Sequence, residues 1–241
     1  MENEVPQRGL PDYLVRHYRH AYLSAWGLRL FDRGPVINAI LFGHYRRLLE
    51  GVLERLDRPR RLLQLSCAYG SLTPRLLAAL PADSELHLCD VVPAQLALAR
   101  GKGSGDQRLR ACRMNAESLG YAEDSFDTVL IFFLLHELPA TARRRVLAEA
   151  LRVLRPGGRL LVADYAPAPW RHPFHRLRPL RGLLCRLEPF LEAFWSEDRH
   201  SLLAEQAAFL GKVPREGYRR DWFGGLYRLA EWRITPATAS G

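Results

Sequence analysis

The chain has 241 residues, of which 48% are hydrophobic, and its 35 Lys and Arg outnumber its 26 Asp and Glu for a formal net charge of +9. A chain of this length and composition can bury one sizeable core, so we expect one principal domain with additions at its ends rather than two domains. The charge predicts attraction to anions such as nucleic acid or an acidic lipid surface, and charge alone does not choose between them.

The cysteines and the apolar runs indicate the compartment. Cys67, Cys89, Cys112 and Cys185 show no CxxC spacing, so we expect reduced core thiols of a cytoplasmic protein rather than a disulfide or a zinc site. The first residues have neither the basic nor the apolar region of a signal peptide. The apolar runs are far shorter than the ~20 residues that span a bilayer, so no membrane-spanning segment is expected.

Two helical stretches are predicted before the first strand. Apolar residues recur at helical spacing from Leu14 to Ala25 and from Ile37 to Leu56, and Gly34 and Pro35 separate the two stretches. We predict that residues 1–58 form a helical region of their own. These helices either cover one end of a sheet or act as a lid whose aromatic residues close over a ligand, and both roles are compatible.

Residues 61–74 predict a strand, a tight loop of small residues and the start of a helix, with Thr73 as the N-cap and Pro74 at the first helical position. A second predicted strand ends in Asp90, at the spacing of an acidic residue that binds ribose hydroxyls in a nucleotide-binding βαβ unit. Gly70 is the one glycine where such loops usually have three. An ordinary turn with Asp90 as a surface N-cap therefore remains an alternative.

Strands and helices then alternate as in a parallel sheet with right-handed crossovers. Strands are predicted at 61–66, 85–90, 109–113, 126–133 and 159–164, and helices at about 73–80, 93–100 and 139–154. Ligands of such sheets bind beyond the carboxyl ends of the strands. The positions expected around one crevice are Gly70, Asp90, Asn115, Phe133 to Glu137 and Asp164.

The pattern changes after Asp164. Residues 166–195 form a basic amphipathic stretch, in which Arg171, Arg176, Arg178, Arg181 and Arg186 interleave with Trp170, Phe174, Leu177, Leu180, Leu183, Leu184 and Leu187. This stretch is either a solvated helix covering the sheet or a segment that lies in the headgroup layer of an anionic membrane. A helix near 199–210 and two strands at about 215–223 and 226–234 follow, and Gly224-Gly225 predicts a hairpin between the strands.

Two motifs, residues 125–139 and 149–164, resemble the fourth and fifth strand regions of class I S-adenosylmethionine-dependent methyltransferases. The resemblance implies an α/β Rossmann-like fold over residues 59–241, with a seven-stranded, mostly parallel sheet and an antiparallel C-terminal hairpin. The cofactor-binding residues that it implies are Gln64, Ser66, Ala68, Tyr69, Gly70, Asp90, Val91, Asn115, Ala116 and Phe133. Gln64 stands where this family usually has a carboxylate, and Ser66 and Ala68 stand where it usually has glycines, so the methionine end must be held differently.

The N-terminal residues Phe31-Asp32, Asn38 and Gly43 resemble the quinone-ring methyltransferases of ubiquinone synthesis. A narrower resemblance, to the methyltransferase-like enzymes of rhodoquinone biosynthesis, rests on residues 11–14, 31–33, 40–43, 68–74, 132–137 and 222–227. It implies that S-adenosylmethionine gives its amino group to ubiquinone in place of a ring methoxy group, with Mn²⁺ assisting. The implied catalytic residues are Gln64, Tyr69, His136 and Glu137, and the candidate metal ligands are His136, Glu137 and Asp164.

Other classes of protein remain open. A conventional methyltransferase of a quinone or another small aromatic substrate would transfer the methyl group without a metal. A nucleic-acid methyltransferase is disfavoured, because amino-directed enzymes carry an Asn/Asp-Pro-Pro-aromatic run after the fourth strand and residues 132–135 are Phe-Phe-Leu-Leu. A non-catalytic protein with the cofactor fold is also possible. For a lipid quinone substrate we expect a cytoplasmic protein that associates peripherally with the inner face of the membrane.

Overall fold

The computed structural model describes residues 9–103, 105–167 and 172–237, without the side chains of Ala25, Phe174 and His175. The predicted site residues all lie within these ranges, whereas Trp170 and Arg171 of the basic stretch lie outside the described residues. The chain divides into two compact units, residues 1–116 and 117–241. The two units therefore meet along the chain after residue 116, inside the stretch of alternating strands and helices. The sequence had suggested a boundary near residue 58, at the end of the N-terminal helical region.

The strands form a seven-stranded sheet in the order β3-β2-β1-β4-β5-β7-β6. They are β1 Arg61–Leu65, β2 Glu85–Asp90, β3 Leu109–Arg113, β4 Phe126–Phe132, β5 Leu154–Tyr165, β6 Lys212–Trp222 and β7 Tyr227–Pro236. Within the first unit β1, β2 and β3 pair in parallel. Within the second unit β4 and β5 are parallel, and β7 is antiparallel to both β5 and β6. The predicted fold class, mostly parallel with an antiparallel C-terminal hairpin, is confirmed.

The helices before the first strand are shorter than the sequence predicted, whereas the two that follow β1 and β2 lie close to their predicted positions. The helices of the first unit are α1 Asp12–His17, α2 Ala25–Phe31, α3 Gly34–Ile40, α4 Tyr45–Glu54, α5 Leu72–Ala79 and α6 Pro93–Lys102, with a π-helical segment at Arg19–Leu23. The prediction of one helix from Ile37 to Leu56 is wrong, because the backbone turns at Phe42 and Gly43 with φ angles of 49° and 79°. A left-handed pair of this kind ends a helix, and glycine adopts it without strain.

The helices of the second unit are α7 Ala140–Val153, α8 Pro173–Arg176, α9 Arg178–Leu187, α10 Leu191–Ser196 and α11 Arg199–Ala208. Single turns of 3-10 helix lie at Leu135–Glu137, after β4, and at Phe223–Gly225, between β6 and β7. The predicted hairpin therefore forms. β5 begins at Leu154, earlier than predicted, because its first residue already pairs with Phe126 before a register shift.

The buried faces of these elements carry the core. In the first unit Leu48 and Val52 of α4 are fully buried, as are Leu62 and Leu63 of β1. Each fully buried side chain of this size contributes roughly 1.5–3 kcal/mol. By contrast α9 has no buried residue along its length. In the described part of the chain, no helix is long and apolar enough to cross a membrane.

Candidate functional site

The loop after β1 is held by side chains from the preceding helices. The Asp32 carboxylate accepts a hydrogen bond from the backbone N–H of Gly70 at 2.9 Å. The Tyr45 hydroxyl donates to the carbonyl of Tyr69 at 3.2 Å and accepts from the N–H of Ser71 at 2.7 Å. Gly70 has a φ of 79°, and a Cβ there would lie 2.7 Å from the Tyr45 hydroxyl, so both backbone and packing require glycine.

Tyr69, a predicted catalytic and cofactor-binding residue, packs against the N-terminal helices. Its hydroxyl donates to the carbonyl of Ala21 at 2.5 Å. Its ring stacks on Tyr22 with the ring centroids 5.6 Å apart, and the Phe31 centroid lies 6.0 Å away. The phenol group thus fastens the loop to the helical segment.

Gln64 uses its polar atoms inside the unit. The side chain is completely buried. Its Nε2 donates to the carbonyl of Ser66 at 2.9 Å, and its Oε1 accepts from the hydroxyl of Thr73 at 3.2 Å. The prediction of Thr73 as the N-cap is therefore wrong. Helix α5 begins at Leu72, which places Thr73 inside the helix, and the Thr73 hydroxyl donates to Gln64. The amide braces the turn between β1 and α5.

Asp90 ends β2 and faces the same loop. Its carboxylate accepts hydrogen bonds from the backbone N–H groups of Cys67 at 2.7 Å and Val92 at 2.8 Å. Burial raises the pKa of Asp90 to about 6, against the opposing effect of these N–H groups. Each oxygen holds one backbone donor, so a carboxylate with about four acceptor positions retains capacity for ribose hydroxyls.

Five further predicted cofactor residues lie close to the strand ends of the first unit. Ser66 follows β1 with a φ of 67°, and its N–H bonds to the carbonyl of Cys89 at 2.9 Å. Ala68, Val91, Asn115 and Ala116 are all half-buried. Asn115 and Ala116 follow β3, where the N–H of Met114 bonds to the carbonyl of Asp90 at 3.0 Å.

In the second unit the predicted residues His136 and Asp164 form a buried pair. Nδ1 of His136 lies 2.7 Å from Oδ1 of Asp164. The Asp164 carboxylate also accepts from the backbone N–H groups of Leu135 at 3.0 Å, His136 at 3.4 Å and Tyr165 at 2.7 Å. Burial by itself would lower the pKa of His136, but Asp164, with Glu188 and Glu137, outweighs it and raises that pKa to about 9.

The cluster suited to a metal ion differs from the sequence expectation. Within the residues that the structure describes, the His136, Glu137 and Glu188 side chains offer ligand atoms that all lie within 4.8 Å of one another. Nε2 of His136 is 3.8 Å from Oε2 of Glu188. Asp164, the third ligand expected from the sequence, instead holds the opposite ring nitrogen. Glu188 follows α9 in the basic stretch, where no motif singles it out.

Aromatic rings surround His136. The centroid of Phe133, a predicted cofactor residue with a φ of 52°, lies 5.9 Å from that of His136. The Tyr165 centroid is 4.9 Å from that of His136 and 5.3 Å from that of Tyr227. Burial raises the pKa of Tyr165 well above its ordinary value, so the phenol stays neutral. Sequence reasoning missed Tyr165 and Tyr227, which antiparallel pairing brings opposite each other.

Comparisons with known proteins agree with this architecture. Residues 62–158 match a family described as a methyltransferase domain. The chain is 32% identical to the ubiquinone/menaquinone biosynthesis C-methyltransferase UbiE of Methylobacterium nodulans over 142 residues, which make up 56% of this chain and 55% of the relative. It is also 32% identical to the demethylmenaquinone methyltransferase of Thermus thermophilus over 145 residues, 57% of this chain and 64% of the relative. The chain thus spans less than two thirds of the length of these relatives.

Solved structures give the fold. The N-methyltransferase NodS from Bradyrhizobium japonicum WM9 superimposes with a TM-score of 0.57 at 18% sequence identity, covering 82% of this chain and 98% of NodS. At such low identity the match speaks for the fold alone, and it agrees with the strand order described above. Residues 62–158 therefore match a methyltransferase-domain family, and the chain shares the fold of the N-methyltransferase NodS.

Proposed function

We propose that the protein is an S-adenosylmethionine-dependent transferase that acts on the ring of a quinone. The observation that carries this proposal is the buried His136–Asp164 pair set among Phe133, Tyr165 and Tyr227. Aromatic side chains of this kind favour a flat ring substrate through offset and edge-to-face contacts. The names of the relatives, which are quinone methyltransferases, support the same substrate class.

Cofactor binding is assigned to the first unit. The Asp90 carboxylate would accept hydrogen bonds from the ribose hydroxyls, and the loop from Ser66 to Gly70 would face the methionine end. Half-buried Asn115 and Ala116 would border the adenine ring. The class I fold supports S-adenosylmethionine as the ligand of these groups.

Within this class we favour amino transfer to ubiquinone, the reaction of rhodoquinone biosynthesis, over methyl transfer. The cofactor amine must be neutral to attack a ring carbon, and a carboxylate at the end of β1 would favour its charged form. Gln64 supplies no charge at that position, and both its polar atoms are bonded to the protein. This feature supports amino transfer without requiring it.

The residues around His136 suit the divalent metal that the narrower resemblance implies. The two carboxylates match the preference of Mn²⁺ for oxygen ligands, and His136 adds one imidazole nitrogen. Asp164 fixes Nδ1 of His136 and thereby aims Nε2 at the cluster, which is the arrangement that outer-shell carboxylates give metal-bound histidines. His136, Glu137 and Glu188 would hold the ion. When bound, Mn²⁺ would supply Lewis acidity towards a quinone carbonyl.

Access to a lipid quinone would come through α9. Its exposed leucines are Leu180, Leu183 and Leu187, with Leu177 just before it, and their exposed fractions are 36%, 56%, 64% and 52%. Arg178 and Arg186 are exposed on the same helix. Apolar burial and attraction between Arg and acidic lipid add in such a helix, so we assign it to docking at an anionic membrane.

The experiment that tests the function is mass spectrometry of a quinone-containing membrane extract incubated with the protein, Mn²⁺ and isotope-labelled S-adenosylmethionine. One preparation carries the label in the amino nitrogen and a second carries it in the methyl carbon. Amino transfer places labelled nitrogen in ubiquinone with loss of a methoxy group. Methyl transfer, the second candidate function, places labelled carbon in the quinone and proceeds without Mn²⁺. Absence of either label in the quinone, with the cofactor bound, would contradict both reactions.

A further inference from the structure

An ion pair is built onto the loop after β1. Lys102, the last residue of α6, donates from Nζ to Oδ1 of Asp32 at 2.6 Å and to the carbonyl of Gly70 at 2.9 Å. The same Asp32 oxygen accepts from the N–H of Gly70 at 2.9 Å. The two side chains therefore hold the N–H and the carbonyl of a single loop residue.

This pair is largely shielded from water, with 17% of the Asp32 side chain and 20% of the Lys102 side chain exposed. Removing two charges from water costs free energy that their mutual attraction does not reliably return, and replacing such a pair by apolar residues is often neutral or stabilising. Structural support for the loop does not require charges either, because the Tyr45 hydroxyl already bridges Tyr69 and Ser71. The charges suit a charged ligand.

Each member of the pair keeps an unused bonding position. Across the described ranges, Oδ2 of Asp32 accepts no hydrogen bond, since the N–H of Gly70 and Nζ of Lys102 both donate to Oδ1. An ammonium group has three donors, and Lys102 uses two of them. The pair therefore offers one acceptor, on the Asp32 carboxylate, next to one donor, on the Lys102 ammonium. That arrangement complements a ligand that itself carries neighbouring ammonium and carboxylate groups.

We propose that Asp32 and Lys102 bind the amino-acid end of S-adenosylmethionine, with Asp32 accepting from its α-ammonium and Lys102 donating to its α-carboxylate. This inference rests on the proposed function, in which the Gly70 loop faces the methionine end. Asp32 lies in the segment between α2 and α3, and the positive charge of Lys102 beside it opposes its effect on the pKa of the cofactor amine, so the amine can still lose its proton before amino transfer. The pair thereby makes the N-terminal segment part of the cofactor site.

The test is a calorimetric titration with three ligands: S-adenosylmethionine, its decarboxylated form, and 5′-methylthioadenosine, which lacks both the amino-acid end and the sulfonium charge. Wild-type protein should bind S-adenosylmethionine at least about tenfold more tightly than 5′-methylthioadenosine, since charge-assisted hydrogen bonds are lost. Asp32→Asn should weaken the two amine-bearing ligands by about tenfold and leave 5′-methylthioadenosine within about twofold. Lys102→Met should weaken S-adenosylmethionine alone.

Asp83→Asn and Arg60→Met are the matched controls, because they remove an exposed ion pair of the same unit, with its atoms 3.1 Å apart. Both should bind all three ligands as wild type does. Equal losses for the three ligands in Asp32→Asn and Lys102→Met would overturn the proposal and leave the pair a support for the loop. If these variants do not fold, wild-type protein provides the test. Equal affinities of wild-type protein for S-adenosylmethionine and 5′-methylthioadenosine would overturn the proposal. Failure of wild-type protein to bind any of the three would refute the cofactor assignment itself, and this inference with it.

Discussion

The imidazole of His136 and the carboxylate of Asp164 meet through a hydrogen bond of 2.7 Å between Nδ1 and Oδ1, with only 4% and 3% of the two side chains exposed. Asp164 also accepts three backbone N–H groups, so one carboxylate organises the turn after β4 together with the ring of His136. The orientation of Nε2 follows from this contact. Both the stability of the second unit and the proposed metal site depend on it.

Replacing Asp164 by Ala should lower the free energy of unfolding by about 3–5 kcal/mol at pH 6, because it leaves a buried charge and backbone donors without a partner. Chemical denaturation measures the loss. Asp221→Ala is the control, since its ion pair with Arg228 is partly exposed and should be worth at most about 1 kcal/mol. Similar losses for the two variants would contradict the role given to Asp164.

The pKa of His136 also predicts how this stability varies with pH in the metal-free protein. Its folded-state pKa of about 9 lies above the ordinary 6.5, so the stabilisation is fully present below about pH 6.5 and is lost as the pH rises through 9. The difference in unfolding free energy between wild type and His136→Gln should therefore shrink between these pH values. A constant difference from pH 6 to pH 10 would show that the imidazole is not charged in the fold.

Through Asp90, affinity for the cofactor should rise with pH, whereas the stability of the protein falls. The Asp90 pKa of about 6 exceeds the ordinary 3.8, so ionising this carboxylate costs the folded protein stability above pH 6, and that cost is relieved as the pH falls towards 3.8. Cofactor binding needs the ionised form as an acceptor. We expect affinity for S-adenosylmethionine to fall about tenfold below pH 6, whereas Asp90→Asn should bind weakly at every pH. Calorimetric titration at pH 5 and pH 8 measures these affinities. An Asp90→Asn variant that binds as tightly as wild type would show that Asp90 does not bind the cofactor.

Gln64→Glu should destabilise the first unit by about 1–3 kcal/mol, because a carboxylate oxygen would replace the donor that bonds the carbonyl of Ser66. Thermal denaturation at neutral pH measures the change. Gln107→Glu makes the same substitution at an exposed position and should be nearly neutral. A Gln64→Glu variant as stable as wild type would show that the amide does not brace the turn.

The leucines of α9 give a prediction for membrane binding. Leu183→Glu combined with Leu187→Glu should abolish co-flotation with vesicles that contain acidic lipid, since apolar insertion is lost and negative charge is added. Phe209→Glu is the control, because Phe209 is 80% exposed but lies after α11. Binding by wild type should weaken as salt is added. If the double variant floats as well as wild type, α9 is not the docking surface.

Periodicity and spacing in the sequence were sufficient to predict the strands of the sheet, the hairpin at Gly224-Gly225 and the position of Asp90, because these depend on neighbours close along the chain. Local pattern did not reveal the break at Phe42 and Gly43, since apolar residues continue at helical spacing through it. Local pattern also does not predict hydrogen bonds between residues that are far apart in the chain. Asp32 reaches Gly70 and Lys102, and Glu188 reaches His136, only because folding brings separate elements together. The sequence therefore determined the class of fold and the candidate residues, whereas tertiary packing decided which charges meet: Gln64 became a brace for the turn, and Asp164 a support for His136 rather than a member of the metal cluster.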